Sequence, residues 1–171
     1  PLTEEDCAPA FTHHAADSLP SFQKNGASIR VLAGEAWGHA SPVAFPWDIL
    51  YVAIESPDGT SMILPASLAE ERALYIVSGS ARIEDETAEE GHMLVIAPGE
   101  DVAVEFLPGT KAVICGGATM DGPRKIEWNF VASDTDKIEK AKQDWEQSTK
   151  LHGTDRFPLV PGDEAEWIPL P

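Results

Sequence analysis

The sequence predicts an all-β sandwich or barrel followed by one α-helix. Short apolar runs recur at about ten-residue spacing, each stopped by Gly or Pro, the rhythm of a sandwich or barrel. Two of these runs, Ala81–Glu84 and Val102–Phe106, alternate apolar with polar residues, as half-buried strands do. After Ser133 the apolar spacing changes to that of a helix.

Three zones follow. Residues 1–26 are polar, carry Pro1, Pro9 and Pro20, and read as an extended arm or linker. Residues 27–132 hold the strands: Ser28–Leu32 ending at Gly34, Ile49–Glu55 before the turn Pro57-Asp58-Gly59, and Thr60–Leu64 stopped by Pro65. Next come Ala73–Val77 to Ser78-Gly79, Ala81–Glu84 to an acidic turn, and His92–Ile96 to Ala97-Pro98-Gly99. Val102–Phe106 turns at Pro108-Gly109, and Lys111–Cys115 ends at Gly116-Gly117. Residues 133–171 hold the helix and a Pro-rich tail. Ser133 is placed to cap the helix, with Asp136 three positions on as in a capping box. Ile138, Ala141 and Trp145 form its apolar stripe, and Trp145 reads as a packing anchor.

The chain has 171 residues, 43% of them hydrophobic, enough for an ordinary core in one domain. The net charge of −17 opposes binding to phosphate backbones, and the only basic patch is Gly122-Pro123-Arg124-Lys125. Direct nucleic-acid binding is therefore excluded as an expectation. No apolar run approaches the roughly 20 residues of a membrane helix, and no charged-then-apolar leader opens the sequence. Cys7 and Cys115 have no C-x-x-C spacing, so Cys115 is expected to pack as a small buried hydrophobe in a reducing, cytoplasmic setting.

Gly79 stands seven positions after Arg72, and Gly91 leads to the turn Pro98-Gly99. These spacings resemble the two motifs of the cupin family, a double-stranded β-helix barrel. That resemblance implies a metal held by three His and one Glu, ligands that suit non-haem iron, nickel or manganese. Here the ligand positions hold other residues. Arg72 stands where the Glu would be, Pro65–Leu68 contains no His, and Val102 stands near the place of the last His. The expectation is a barrel without metal.

Longer stretches resemble the C-terminal half of the pirin family. They are Ile29–Ala36 with Ser41-Pro42-Val43, Arg72–Gly79, Trp128–Ser133, Ile138–Lys142 with Asp144-Trp145, and the ending Phe157–Glu164 with Ile168–Pro171. A departure is an insertion over Gln147–Asp155. Pirins resemble duplicated cupins whose first domain binds iron; some act as quercetin dioxygenases and others as regulators through protein contacts. The resemblance implies a metal-free C-terminal cupin with a structural or protein-interaction role. Its partner would be the missing N-terminal cupin domain or a second copy, met in part through Trp167, Ile168 and Leu170. Iron or another divalent metal is expected only in that missing half. The alternatives are part of a quercetin dioxygenase-like enzyme, or a cupin that binds small acids through Arg72. Pro1 either follows a removed Met or lies inside a longer chain.

Other candidates are few. If both point inward, Glu35 and Arg72 form an ion pair where other cupins hold metal, or Arg72 grips a ligand carboxylate. His13 and His14 are adjacent, would point oppositely in an extended arm, and read as solvated. His39 is a candidate for the barrel mouth, while His92 and His152 read as structural or exposed. Asp85, Glu86, Glu89 and Glu90 lack the Gly-centred pattern of a calcium loop. Ser41, Ser61 and Ser78 have no nucleophile elbow. No catalytic set is expected.

Overall fold

A computed structural model describes residues 1–148, 152–163 and 166–171. The chain forms two compact units, residues 8–119 and residues 1–7 with 120–171.

The first unit holds, besides short 3-10 turns at Ala16–Ser18 and Ala66–Leu68, twelve strands: β1 Ser21–Lys24, β2 Ala27–Ala33, β3 Glu35–Ala36, β4 His39–Ala40, β5 Ile49–Ser56, β6 Thr60–Leu64, β7 Glu71–Ser78, β8 Ser80–Ile83, β9 Glu86–Glu89, β10 Met93–Ile96, β11 Val102–Phe106 and β12 Thr110–Gly117. A six-stranded sheet runs β1-β2-β5-β12-β7-β10 and a four-stranded sheet β6-β11-β8-β9, all pairs antiparallel. Side chains alternate faces along each strand, so one row enters the core. Ile29, Val31, Val52, Ile54, Leu74, Ile76 and Ile114 enter from the larger sheet, and Met62, Leu64, Val104 and Phe106 from the smaller. Each such side chain contributes roughly 1.5–3 kcal/mol by leaving water. This is the predicted all-β cupin jelly roll.

The predicted arm ends earlier than its composition suggests, because Ser21–Lys24 is an edge strand. Asn25 and Gly26 carry φ of 51° and 86°, the pair of positive values a tight hairpin turn requires. Cys115 is half-buried, not buried as expected: alternation along β12 buries Ala112 and Ile114 and turns Cys115 to the outer face.

The second unit pairs β13 Lys125–Glu127 with β14 Phe130–Ala132 and packs this hairpin on α1 Thr135–Gln147. The strand rhythm assigns 120–132 to the barrel; in the structure they join the helix instead. Residues 1–7 attach here too. The Leu2 amide donates to Asp121 at 2.6 Å, and the Glu5 carboxylate accepts from the Ser133 amide and hydroxyl, each at 2.6 Å. Ser133 is thereby engaged, and the helix cap is Asp134, which accepts from the Asp136 amide at 3.0 Å. Trp145 packs with Trp128, Phe157 and Trp167, and its Nε1 donates to the Ile168 carbonyl at 2.8 Å. Ile168 is exposed, while Trp167 and Leu170 are half-buried. Residues 149–151 of the inferred insertion, and Glu164 of the terminal motif, lie outside the described residues.

Candidate functional site

A cleft of about 940 Å³ opens where β2 ends, β5 begins, β12 ends and the segment before β7 passes over. That is within the range of small-molecule sites. Its floor depends on two glycines. A Cβ on Gly34 would lie 2.0 Å from the Ile49 carbonyl oxygen, and one on Gly117 2.4 Å from that of Asp48. Only glycine lets these strand ends approach so closely.

The walls come from the β3–β4 hairpin, the loop 41–48 and the segment 65–70. The hairpin turns at Trp37 and Gly38, with φ of 49° and 78°. Positive φ is uncommon for a bulky side chain. Phe45 and Trp47 add two more rings, and the Trp47 indole is anchored by donating to the Ala118 carbonyl at 3.1 Å. Glu35, Asp48 and Glu70 supply carboxylates, and among the described residues no Lys, Arg or His lines the cleft. The Thr119 amide donates to Glu70 at 3.0 Å, and this bond holds the Glu70 carboxyl below the usual 4.5.

Arg72 and Glu35 are not brought together. Glu35 is exposed at the cleft, whereas Arg72 is 3% exposed and lies inside the barrel. Its Nη1 donates to the carbonyls of Leu64 at 3.1 Å and Pro65 at 2.5 Å, and its Nη2 to that of Glu100 at 2.5 Å. Its Nε is buried without a partner. The expected ion pair is replaced by a cation whose two terminal nitrogens bond backbone oxygens, because the chain end of β6 and the loop after β10 reach it and β3 does not. Arg72 therefore ties the larger sheet to the smaller one beneath the Pro65 wall.

The positions that correspond to cupin metal ligands do not fit a metal. Leu68 and Val102 pack on the core, and the Arg72 guanidinium carries fixed positive charge. Among the described residues, no group of three or more His, Cys, Asp or Glu side chains converges. His39 stacks on Phe22 with ring centroids 4.0 Å apart, and His92 Nδ1 accepts from the Glu89 amide at 3.0 Å. His13 and His152 are exposed and His14 is half-buried. Asp85, Glu86, Glu89 and Glu90 are exposed in and beside the β8–β9 turn. No helix among the described residues is long and apolar enough to cross a membrane.

Sequence reasoning missed Trp37, Phe45, Trp47, Asp48 and Glu70. One signal was available: eight residues, 41–48, join β4 to β5, and long ordered loops on a rigid scaffold often carry function.

Comparison with known proteins places this architecture. Residues 51–150 match the family described as Pirin C-terminal cupin domain. The whole chain aligns with a pirin-like protein of Caulobacter vibrioides at 39% identity, covering 57% of that protein. A pirin-like protein of Solanum lycopersicum is 27% identical over 81% of this chain and 49% of its own length. A quercetin 2,3-dioxygenase structure from Acinetobacter baumannii superposes with TM-score 0.79 and 25% identity over 90% of this chain and 50% of that one. The chain thus spans about half the length of these relatives. With more than half its residues matched, the chain belongs to the pirin C-terminal cupin domain family.

Proposed function

We propose that this chain is a metal-free, non-catalytic cupin that works as an interaction domain of a pirin-like protein. One observation carries the reading. The centre of the outer face of the six-stranded sheet is apolar: Ala53, Val113, Tyr75 and Met93 adjoin across strands, bounded by Arg30 beyond Ala53, and Tyr51, Cys115, Ala73 and Val95 form the next row, with Ala73 buried. Val95 is 83% exposed and Met93 53%. Contiguous exposed apolar surface of this kind marks an interface. The partner is the other half of a longer pirin-like protein, or a second copy of this chain when it stands alone. Arg72 supports the metal-free part, since a divalent cation gains nothing beside a fixed guanidinium.

Sedimentation velocity tests the reading. Self-association that weakens on Tyr75→Ser supports it; a monomer at all concentrations with no dye-accessible apolar surface rejects it. Metal analysis beside a flavonol oxidation assay of the same protein should give no stoichiometric transition metal and no turnover.

A second reading rests on the quercetin dioxygenase likeness: the chain is the non-catalytic half of such an enzyme, whose metal site lies upstream. A His-x-His pair ahead of Pro1 in the reading frame, with flavonol turnover by the longer protein, supports it. The reading of Arg72 as a seat for small acids requires its guanidinium to leave three carbonyls. Calorimetry with acetate on Arg72→Ala and the parent chain decides it, and equal heats remove it.

A further inference from the structure

We infer that the cleft between the β3–β4 hairpin, the loop 41–48 and the segment 65–70 binds a small organic ammonium ion. The inference is independent of the interaction reading, which concerns the outer sheet face. Three features carry it. The cleft offers the rings of Trp37, Phe45 and Trp47, whose faces attract cations. It offers three carboxylates and, among the described residues, no basic side chain. Those carboxylates do not converge as a set of metal ligands. A compact metal ion needs several oxygens within one coordination sphere. An extended cation with an apolar body can touch separate carboxylates and rings at once.

The surroundings agree in sign. The net charge of −17 raises the local concentration of cations and lowers that of anions. Trp37 already seats a cation, with Lys24 Nζ 5.6 Å from its ring centroid. Lys24 does not line the cleft, so it neutralises part of the field near Trp37 without filling the space. The Glu35 and Asp48 carboxylates are exposed at the opening, where they can meet an ammonium head while the rings take its apolar part.

Isothermal titration calorimetry on the whole chain tests this with three probes of similar size: benzyltrimethylammonium, benzyl alcohol and phenylacetate. The ammonium should bind about tenfold more tightly than the alcohol, and phenylacetate should give no heat. Raising salt from about 0.02 to about 0.5 M should weaken only the ammonium. The indole N–H signal of Trp47 should shift in proton–nitrogen spectra, and that of Trp145 should not. Asp48→Asn and Glu35→Gln are exposed and conservative, and each should weaken the ammonium about threefold with unchanged melting temperature. Equal affinity for the ammonium and the alcohol overturns the inference. So does full ammonium affinity in the folded Glu35→Gln/Asp48→Asn double variant.

Discussion

The outer faces of the two sheets are built on the same alternation and differ in their central rows. On the four-stranded sheet, register places Ser61, Glu105, Arg82 and Thr87 in one row, and Arg82 lies 3.3 Å from Glu105. On the six-stranded sheet the corresponding rows are Ala53–Val113–Tyr75–Met93 and Tyr51–Cys115–Ala73–Val95. An antiparallel sheet with one solvated face normally alternates apolar with polar. The smaller sheet follows that rule in this row, with Ile63 and Ala103 as its apolar outward pair, and the larger sheet breaks it across its centre. The charges on the larger sheet's outer face, Arg30, Glu55, Glu71 and Lys111, stand around its margin, and the uncharged centre they leave points to surface kept for contact.

Adjacent residues on β7 give the sharpest test. Leu74 and Ile76 are fully buried, while Tyr75 between them is partly exposed. Leu74→Ala should cost about 2–5 kcal/mol in urea denaturation, because the surrounding core cannot collapse into the space. Tyr75→Ser should change monomer stability by less than about 1 kcal/mol but weaken self-association by about tenfold or more. If the two substitutions act alike on both readouts, the outer face is ordinary surface and the contrast fails.

Arg72 is the one charged side chain in the interior row of β7, and it joins the two sheets. Arg72→Met leaves the carbonyls of Leu64, Pro65 and Glu100 without their donors. A buried acceptor so orphaned costs about 1–3 kcal/mol; the Leu64 bond is buried and the other two part-buried, and removing a buried cation offsets part of the loss. The net expectation is a loss of about 2–4 kcal/mol in the same urea experiment. Arg72→Lys should recover only part, since one ammonium cannot reproduce the planar fork. An unchanged midpoint for Arg72→Met would show that the bracing adds nothing.

Much of this was legible in the sequence. The strands Ile49–Glu55, Thr60–Leu64 and Val102–Phe106 lie within a residue or two of their runs, because period-two burial and Gly/Pro turns are local signals. Asn25-Gly26 is a hairpin signal for the strand Ser21–Lys24 that the reading of residues 1–26 as a polar arm leaves unused. The site was less legible for two reasons. Whether Glu35 meets Arg72 depends on where β3 stands relative to β7, and spacing along the chain does not fix that. Trp37 occupies a turn position that favours Asn or Gly, so its place at the tip of a hairpin had no local sign.

Acid should separate the two units by behaviour. Hydrogen bonds from the Ser133 side chain and amide, with Lys137 nearby, hold Glu5 below the ordinary 4.5 of a glutamate. A carboxyl depressed by folding stabilises above its unfolded value and loses that contribution as pH falls through the folded one. Protection factors of the amides at residues 2–7, taken against the intrinsic exchange rate at each pH, should therefore fall as pH drops below about 4.5, while those of the β7 and β12 amides hold. Lys137, raised by its bond to Asp6, has the opposite sign, and its contribution fades only in alkali. Glu5→Gln should remove the acid step; a step that persists assigns it to another carboxylate.

The smallest effect is expected on the polar face. The Arg82 and Glu105 side chains are 53% and 50% exposed, so water and salt screen their attraction and each gives up side-chain freedom to hold the pair. A double-mutant cycle with Arg82→Ala and Glu105→Ala should return a coupling of about 0.5 kcal/mol or less. Neither substitution should alter self-association. Val95→Lys, which adds a charge to the opposite sheet face, should abolish association at little cost in monomer stability. The two faces therefore answer to charge in different equilibria, folding for one and association for the other. A coupling above about 1 kcal/mol for Arg82–Glu105, or unchanged association in Val95→Lys, would erase that distinction.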